Sequence, residues 1–181
     1  MLYIGDISIM HKQRGFTIIE LMVTLVVFAI LVGIAAPNLS EFLLTQRVSG
    51  QASELINSLA LARSEAGKRN ANIVVIPQTN SATGWSNGWC VGPTAIANCD
   101  DANVIKQYQP SSDDVSIEST YLQAGNRLTF RRDGTLLTPG SASTFKVTSA
   151  QLPDDGNNAR CVGLNGLGKA SMTKVSRDAN C

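Results

Sequence analysis

Cys90, Cys99, Cys161 and Cys181 are the side chains whose chemistry is easiest to test first in this 181-residue chain. Thiols can bind metal, attack carbonyls or close disulfides. No two of these are spaced C-x-x-C, and the single histidine, His11, lies near the start of the chain, so a Cys/His zinc site lacks both its spacing and its imidazole. Four cysteines allow three pairings. Cys90 with Cys99 and Cys161 with Cys181 are favoured as the pairs nearest in sequence, and loops of such lengths contribute on the order of 3 kcal/mol each when closed. Asp113-Asp114 and Asp154-Asp155 are adjacent carboxylates, but each stands beside turn residues and neither has the spacing of an EF-hand loop. Residues 84–88, GWSNG, have the G-x-S-x-G spacing, but the only histidine, His11, stands in the basic N-terminal segment, and the chain lacks a P-loop and a dinucleotide fingerprint. The expectation is therefore no catalytic residue, no metal, no cofactor and no enzymatic activity.

A different chemistry is written at the N-terminal end. Residues 16–36, FTIIELMVTLVVFAILVGIAA, carry one ionisable group, Glu20, and reach the roughly 20 apolar residues that a helix needs to cross a bilayer. A secretory signal would have a shorter apolar region with a small-residue cleavage site after it. Here the small residue comes first: Gly15 lies between the basic Lys12–Arg14 cluster and Phe16. Cutting at Gly15 would remove the charges and keep the helix.

KQRG followed by FTIIEL resembles the type IV prepilin and pseudopilin signal. The resemblance implies that a prepilin peptidase/methyltransferase cuts after Gly15 and N-methylates Phe16, that Glu20 is the family's assembly acid and that Pro37 marks its usual helix kink. It also implies a leader at 1–15; a start at Met10 would give the compact leader MHKQRG, and both starts remain open. A carboxylate at membrane depth costs about 2.5 to 3.5 kcal/mol at the helix centre and less near an end. Glu20 therefore calls for a cation, and the freed amine of Phe16 on a neighbouring subunit is the nearest one. Such a buried pair adds little net stability but can fix register between identical helices. The positive-inside rule leaves Lys12 and Arg14 in the cytoplasm and everything after Ala36 in the oxidising periplasm.

The elements that must carry these groups follow from periodicity. Pro37 interrupts the backbone donors without ending the pattern. Leu39, Phe42, Leu43, Ala52, Leu55, Ile56, Leu59, Ala62 and Ala66 recur at three and four, predicting a helix of about 50 residues. It divides into a membrane and polymerisation half at 16–36 and an amphipathic periplasmic half at 37–71. Lys68 and Arg69 complement the dipole of the last turn, and Asn70 to Asn72 reads as the stop. Residues 72–181 form the head. Strands are predicted at 72–78, 89–91, 104–108, 115–120, 127–132, 145–148, 160–164 and 171–175, with Asp133-Gly134 as a hairpin signal and Leu136-Leu137 opening the return strand. The fold class is α+β, a long helix packed on an antiparallel sheet.

LALARSEAGKRN at the helix end, LTFRRDGT and CVGLNGLGKAS resemble the H-type minor pseudopilins of type II secretion and the related FimT and FimU minor pilins. The segment ARSEA also reads as an amphipathic helix end with Arg63 and Glu65 paired. The resemblance implies a minor pilin that primes fibre assembly or sits near its tip. Its implied partners are other minor and major pilins, prepilin peptidase and the inner membrane. An H-type pseudopilin is the alternative. DNA binding is a further one, since FimT-like members can act as DNA receptors. Arg127, Arg131, Arg132, Lys169, Lys174 and Arg177 could contact phosphates. The Gly-Arg-x-Arg motif of the DNA-binding members is matched here by Gly168-Lys169-Ala170-Ser171, without its second base. Thirteen bases and thirteen acids after residue 15 argue against a general polyanion binder.

Overall fold

The computed structural model describes residues 15–81, 83–110, 112–119, 126–137 and 143–181, with the side chains of 35–38 and 143 outside that set. The basic cluster at Lys12 and Arg14 and the side chain of Pro37 therefore lie outside the described residues. The chain divides into two compact units, the first ending at Leu39 and the second running from Ser40 to Cys181.

Helix α1, Ile18–Arg69, supplies the first unit and one layer of the second. It stops as local chemistry demands. Asn70 takes a left-handed φ of 49°, its N–H donates to Gly67 O, and Ala71 N–H donates to Ala66 O. This is a Schellman ending with Asn in the place usually held by Gly.

In the second unit, α1 buries a stripe of Leu44, Val48, Ala52, Leu55, Leu59, Ala62 and Ala66. The expected stripe thus holds from Ala52 onward, with Ile56 at its margin. Its first three members do not belong to it: Leu39, Phe42 and Leu43 are exposed, and Leu44 and Val48 take over the inward face. Among the described residues of the second unit, none covers Phe42 or Leu43.

Eight strands follow: β1 (Ile73–Pro77), β2 (Trp89–Pro93), β3 (Lys106–Tyr108), β4 (Ser116–Glu118), β5 (Leu128–Phe130), β6 (Ser143–Thr148), β7 (Ala159–Leu164) and β8 (Ala170–Val175). They form two antiparallel sheets where one was expected, ordered β3-β2-β1-β5 and β4-β6-β7-β8. Of the return strand expected to open at Leu136-Leu137, the described residues show a bridge from Leu136 to Phe130, flanked by Arg131 N–H donating to Thr135 O and Leu137 N–H donating to Thr129 O, while Leu136 N–H donates to Gly166 O.

Ile73, Val75 and Phe130 from one sheet and Phe145, Val147 and Val162 from the other share a core with the α1 stripe. Every residue of β1 is buried. Alternation explains this: Ile73 and Val75 face the main core, while Val74 and Ile76 meet a second small core with Cys90, Ile96 and Cys99. The loop after β2 covers that outer face. Disulfides join Cys90 to Cys99, with Cα atoms 5.5 Å apart, and Cys161 to Cys181, 5.7 Å apart. The second clamps the C-terminal segment onto β7.

Candidate functional site

Gly15, Phe16 and Thr17 precede the first helical residue. Phe16 is 91% exposed, and nothing would meet a Cβ placed on Gly15. Among the described residues nothing covers the backbone between them, which stands just ahead of the helix. The helix start is fixed by a capping box. Thr17 N–H and Thr17 Oγ1 donate to Glu20 Oε2 at 2.8 and 2.9 Å, while Glu20 N–H donates to Thr17 Oγ1 at 3.3 Å. The sequence signal for this cap is T-x-x-E at Thr17–Glu20, local chemistry separate from the assembly role that the resemblance gives the acid. Both carboxylate bonds end on Oε2, so Oε1 has no bond to a described residue. One side chain can cap its own helix and still receive a neighbour's cation.

Behind this cap, residues 16–34 are exposed without exception. Ile18, Leu25, Val26, Phe28, Leu31 and Ile34 are among the uncovered apolar side chains. A soluble surface rarely leaves so large an apolar area in water; it requires lipid or other helices. Among the described residues no single helix is by itself long and apolar enough to cross a membrane. Ile18–Ile34 meets that condition only together with Leu39–Arg69.

The basic residues of the head do not form one patch. Arg127 donates to Thr94 O and Ile96 O at 2.9 and 2.8 Å, tying down the Cys90–Cys99 loop. Arg177 donates to Leu152 O at 2.9 Å and pairs with Asp154. Arg131 donates to Leu137 O at 3.2 Å, and Lys174 lies exposed on the edge strand β8. Arg132 and Lys169 do come together, in a groove of about 490 Å³ that they share with Arg63.

Arg63 is therefore not the partner of Glu65. Residues two apart on a helix face different ways, and Glu65 takes Lys68 at 3.4 Å and Arg69 at 2.5 Å. The hydrogen bond from Arg69, ahead of the nearby charges, holds the Glu65 carboxyl below its ordinary range. Asp114 pairs with Arg47 at 2.8 Å. Among the described residues no three of His, Cys, Asp and Glu are gathered as a metal site would need.

Residues 51–168 match the family described as type II transport protein GspH, and residues 10–36 match the prokaryotic N-terminal methylation motif. The chain belongs to the GspH family. No curated protein sequence matches it. Two crystal structures of the Pseudomonas aeruginosa (strain PAO1) type IV minor pilin FimU share the fold. One has a TM-score of 0.56 at 21% identity, covering 69% of this chain and 91% of that one. The other has a TM-score of 0.58 at 22% identity, covering 71% and 89%. The GspH-family head thus carries the long-helix and antiparallel-sheet architecture of a type IV pilin.

Proposed function

We propose that this chain is a minor type IV pilin, made as a precursor, cut after Gly15, N-methylated at Phe16 and held in the inner membrane until it joins a fibre. It has no catalytic role; an enzyme acts on it. In this reading the N-terminus starts in the cytoplasm, the head lies in the periplasm, and the head reaches the cell exterior with the fibre. The observation that supports it is a capped, uncovered apolar helix that begins directly after Gly15 and Phe16 and leads into a folded head.

Between helices in lipid there is no hydrophobic gain, so packing and polar bonds must drive their association. Glu20 is the only acid on this stretch, and Oε1 would receive the methylated amine of Phe16 from the next subunit. Other minor and major pilins are the partners this surface suits. The H-type subunit of a secretion pseudopilus uses the same helix physics; piliation and secretion assays of a deletion strain separate the two.

Mass spectrometry of the protein recovered from sheared fibres tests the proposal. A methylated Phe16 at the N-terminus is expected, and Glu20→Ala is expected to insert in the membrane but to fall in fibre content. An intact leader, or undiminished incorporation of Glu20→Ala, would reject the reading or the role of Glu20 respectively.

A further inference from the structure

The groove that joins Arg63, Arg132 and Lys169 is built by three segments far apart in sequence: the end of α1, the turn after β5 and the turn before β8. The apolar part of its lining, its floor, comes from Ile56, Ala60 and Ala170. Both turns carry glycine at positive φ, 80° at Gly134 and 74° at Gly168. Arg63 lies along Gly134, where an added Cβ would stand 3.1 Å from its Nε. The backbone of both turns is thus shaped by the chain's own fold.

Its charges are unbalanced. Asp133 also lines it, but its carboxylate already accepts Thr135 N–H at 2.9 Å and Thr135 Oγ1 at 2.6 Å. Among the described residues, Arg63, Arg132 and Lys169 make no ion pair. With three cations against the one carboxylate of Asp133, in a chain balanced in sign beyond residue 15, the groove carries a net positive field beside its apolar lining. Such a field selects a partner of opposite charge.

We propose that this groove seats an acidic, extended segment of a neighbouring fibre subunit, with carboxylates on the three cations and an aliphatic side chain on the floor. The neighbour's identity as a fibre subunit rests on the pilin reading; the chemistry of the groove does not. An acidic peptide fits better than duplex DNA on two counts. A phosphate backbone offers nothing aliphatic to the floor. Arg127 and Arg177, which would widen a DNA footprint, are committed to backbone carbonyls.

The test uses the purified full chain in detergent micelles and a fluorescent hexapeptide alternating Asp and Leu. Its Asn and Leu counterpart and a short labelled duplex DNA are run beside it. The acidic peptide is expected to bind in a salt-sensitive way and the amide peptide not to. Arg63→Glu with Lys169→Glu should weaken binding about tenfold or more at an unchanged melting temperature; Arg132→Gln with Lys169→Gln serves if the first variant misfolds. Absent binding, equal binding of the amide peptide, unchanged binding by a folded variant, or tighter binding of the duplex would each overturn the proposal. A photo-crosslinking residue at Ser64, on the groove wall, supplies the second arm in cells. A cross-linked acidic segment of another subunit in sheared fibres is expected. A neutral or basic segment, or no cross-link although the chain is in fibres, overturns the groove and leaves the pilin reading standing. Absence from fibres overturns the pilin reading, and the peptide assay still decides the groove.

Discussion

Gly168→Ala is expected to destabilise the head severely for a surface-turn substitution. Gly168 has φ of 74°, and left-handed backbone costs a non-glycine residue roughly 1–2 kcal/mol. The new Cβ would lie 2.4 Å from Gly134 O and 3.0 Å from Phe130 Cε1. Neither neighbour can swing away: one is backbone, and the other ring is wholly buried. Relieving such a contact costs about 1–3 kcal/mol, while the stiffer unfolded chain returns about 0.4–1 kcal/mol. The net is about 2–4 kcal/mol, and for a head of about 140 residues this lowers Tm by roughly 10 °C. Gly163→Ala is the control. Its Cβ would meet only ordinary contacts, Ser171 Oγ at 3.9 Å and Thr144 Cγ2 at 4.0 Å, so its Tm should stay near that of the parent. Circular-dichroism melts of both variants check this, and a Gly168→Ala melt that overlays the Gly163→Ala melt would refute the reasoning.

Ser58→Ala should cost about 1–2 kcal/mol in a denaturant titration. Buried Trp89 Nε1–H donates to Ser58 Oγ at 2.7 Å, and an indole left unpaired loses about 1–3 kcal/mol against about 0.5 kcal/mol returned by alanine's helix propensity. An unshifted midpoint would show that water replaces the hydroxyl. The Glu65 carboxyl is held down chiefly by Arg69, and that of Asp133 chiefly by the Thr135 hydroxyl. Groups depressed in the folded state stabilise fully above their ordinary values, near 4, and lose that contribution as pH falls through the folded values. Stability from these two groups should therefore be flat from neutral pH to about 5 and decline below about 4; Glu65→Gln should shallow the decline, and a decline already present near pH 6 would contradict the assignment. Cys161→Ser with Cys181→Ser opens a link with a sequence separation of 20 and should lower stability by about 3 kcal/mol, read by thermal melts, with an unchanged melt as the opposing result.

Much of the processing segment was legible in the residues because its determinants are local. A basic cluster, Gly15, Phe16 and Glu20 stand within nine positions, and the capping box of Thr17 and Glu20 needs only residues three apart. The helix stop at Asn70 is equally local, since a left-handed turn is decided by the residue that adopts it. Most predicted strands appear within a residue or two of their expected ranges because alternation and turn residues act over short spans.

The sequence by itself determined where the helix begins and stops, that an N-terminal methylation motif precedes it and that a β-rich head follows. Tertiary structure alone decided that the head has two sheets, that the inward stripe of α1 begins at Leu44, and that Arg63 lies along Gly134. It also decided that Arg132 and Lys169 share a groove while Arg127 and Arg177 are absorbed by backbone carbonyls. The physical reason is range. Caps, turns and periodicity act between residues a few positions apart, whereas a groove is made by segments that meet only after the core between them has packed.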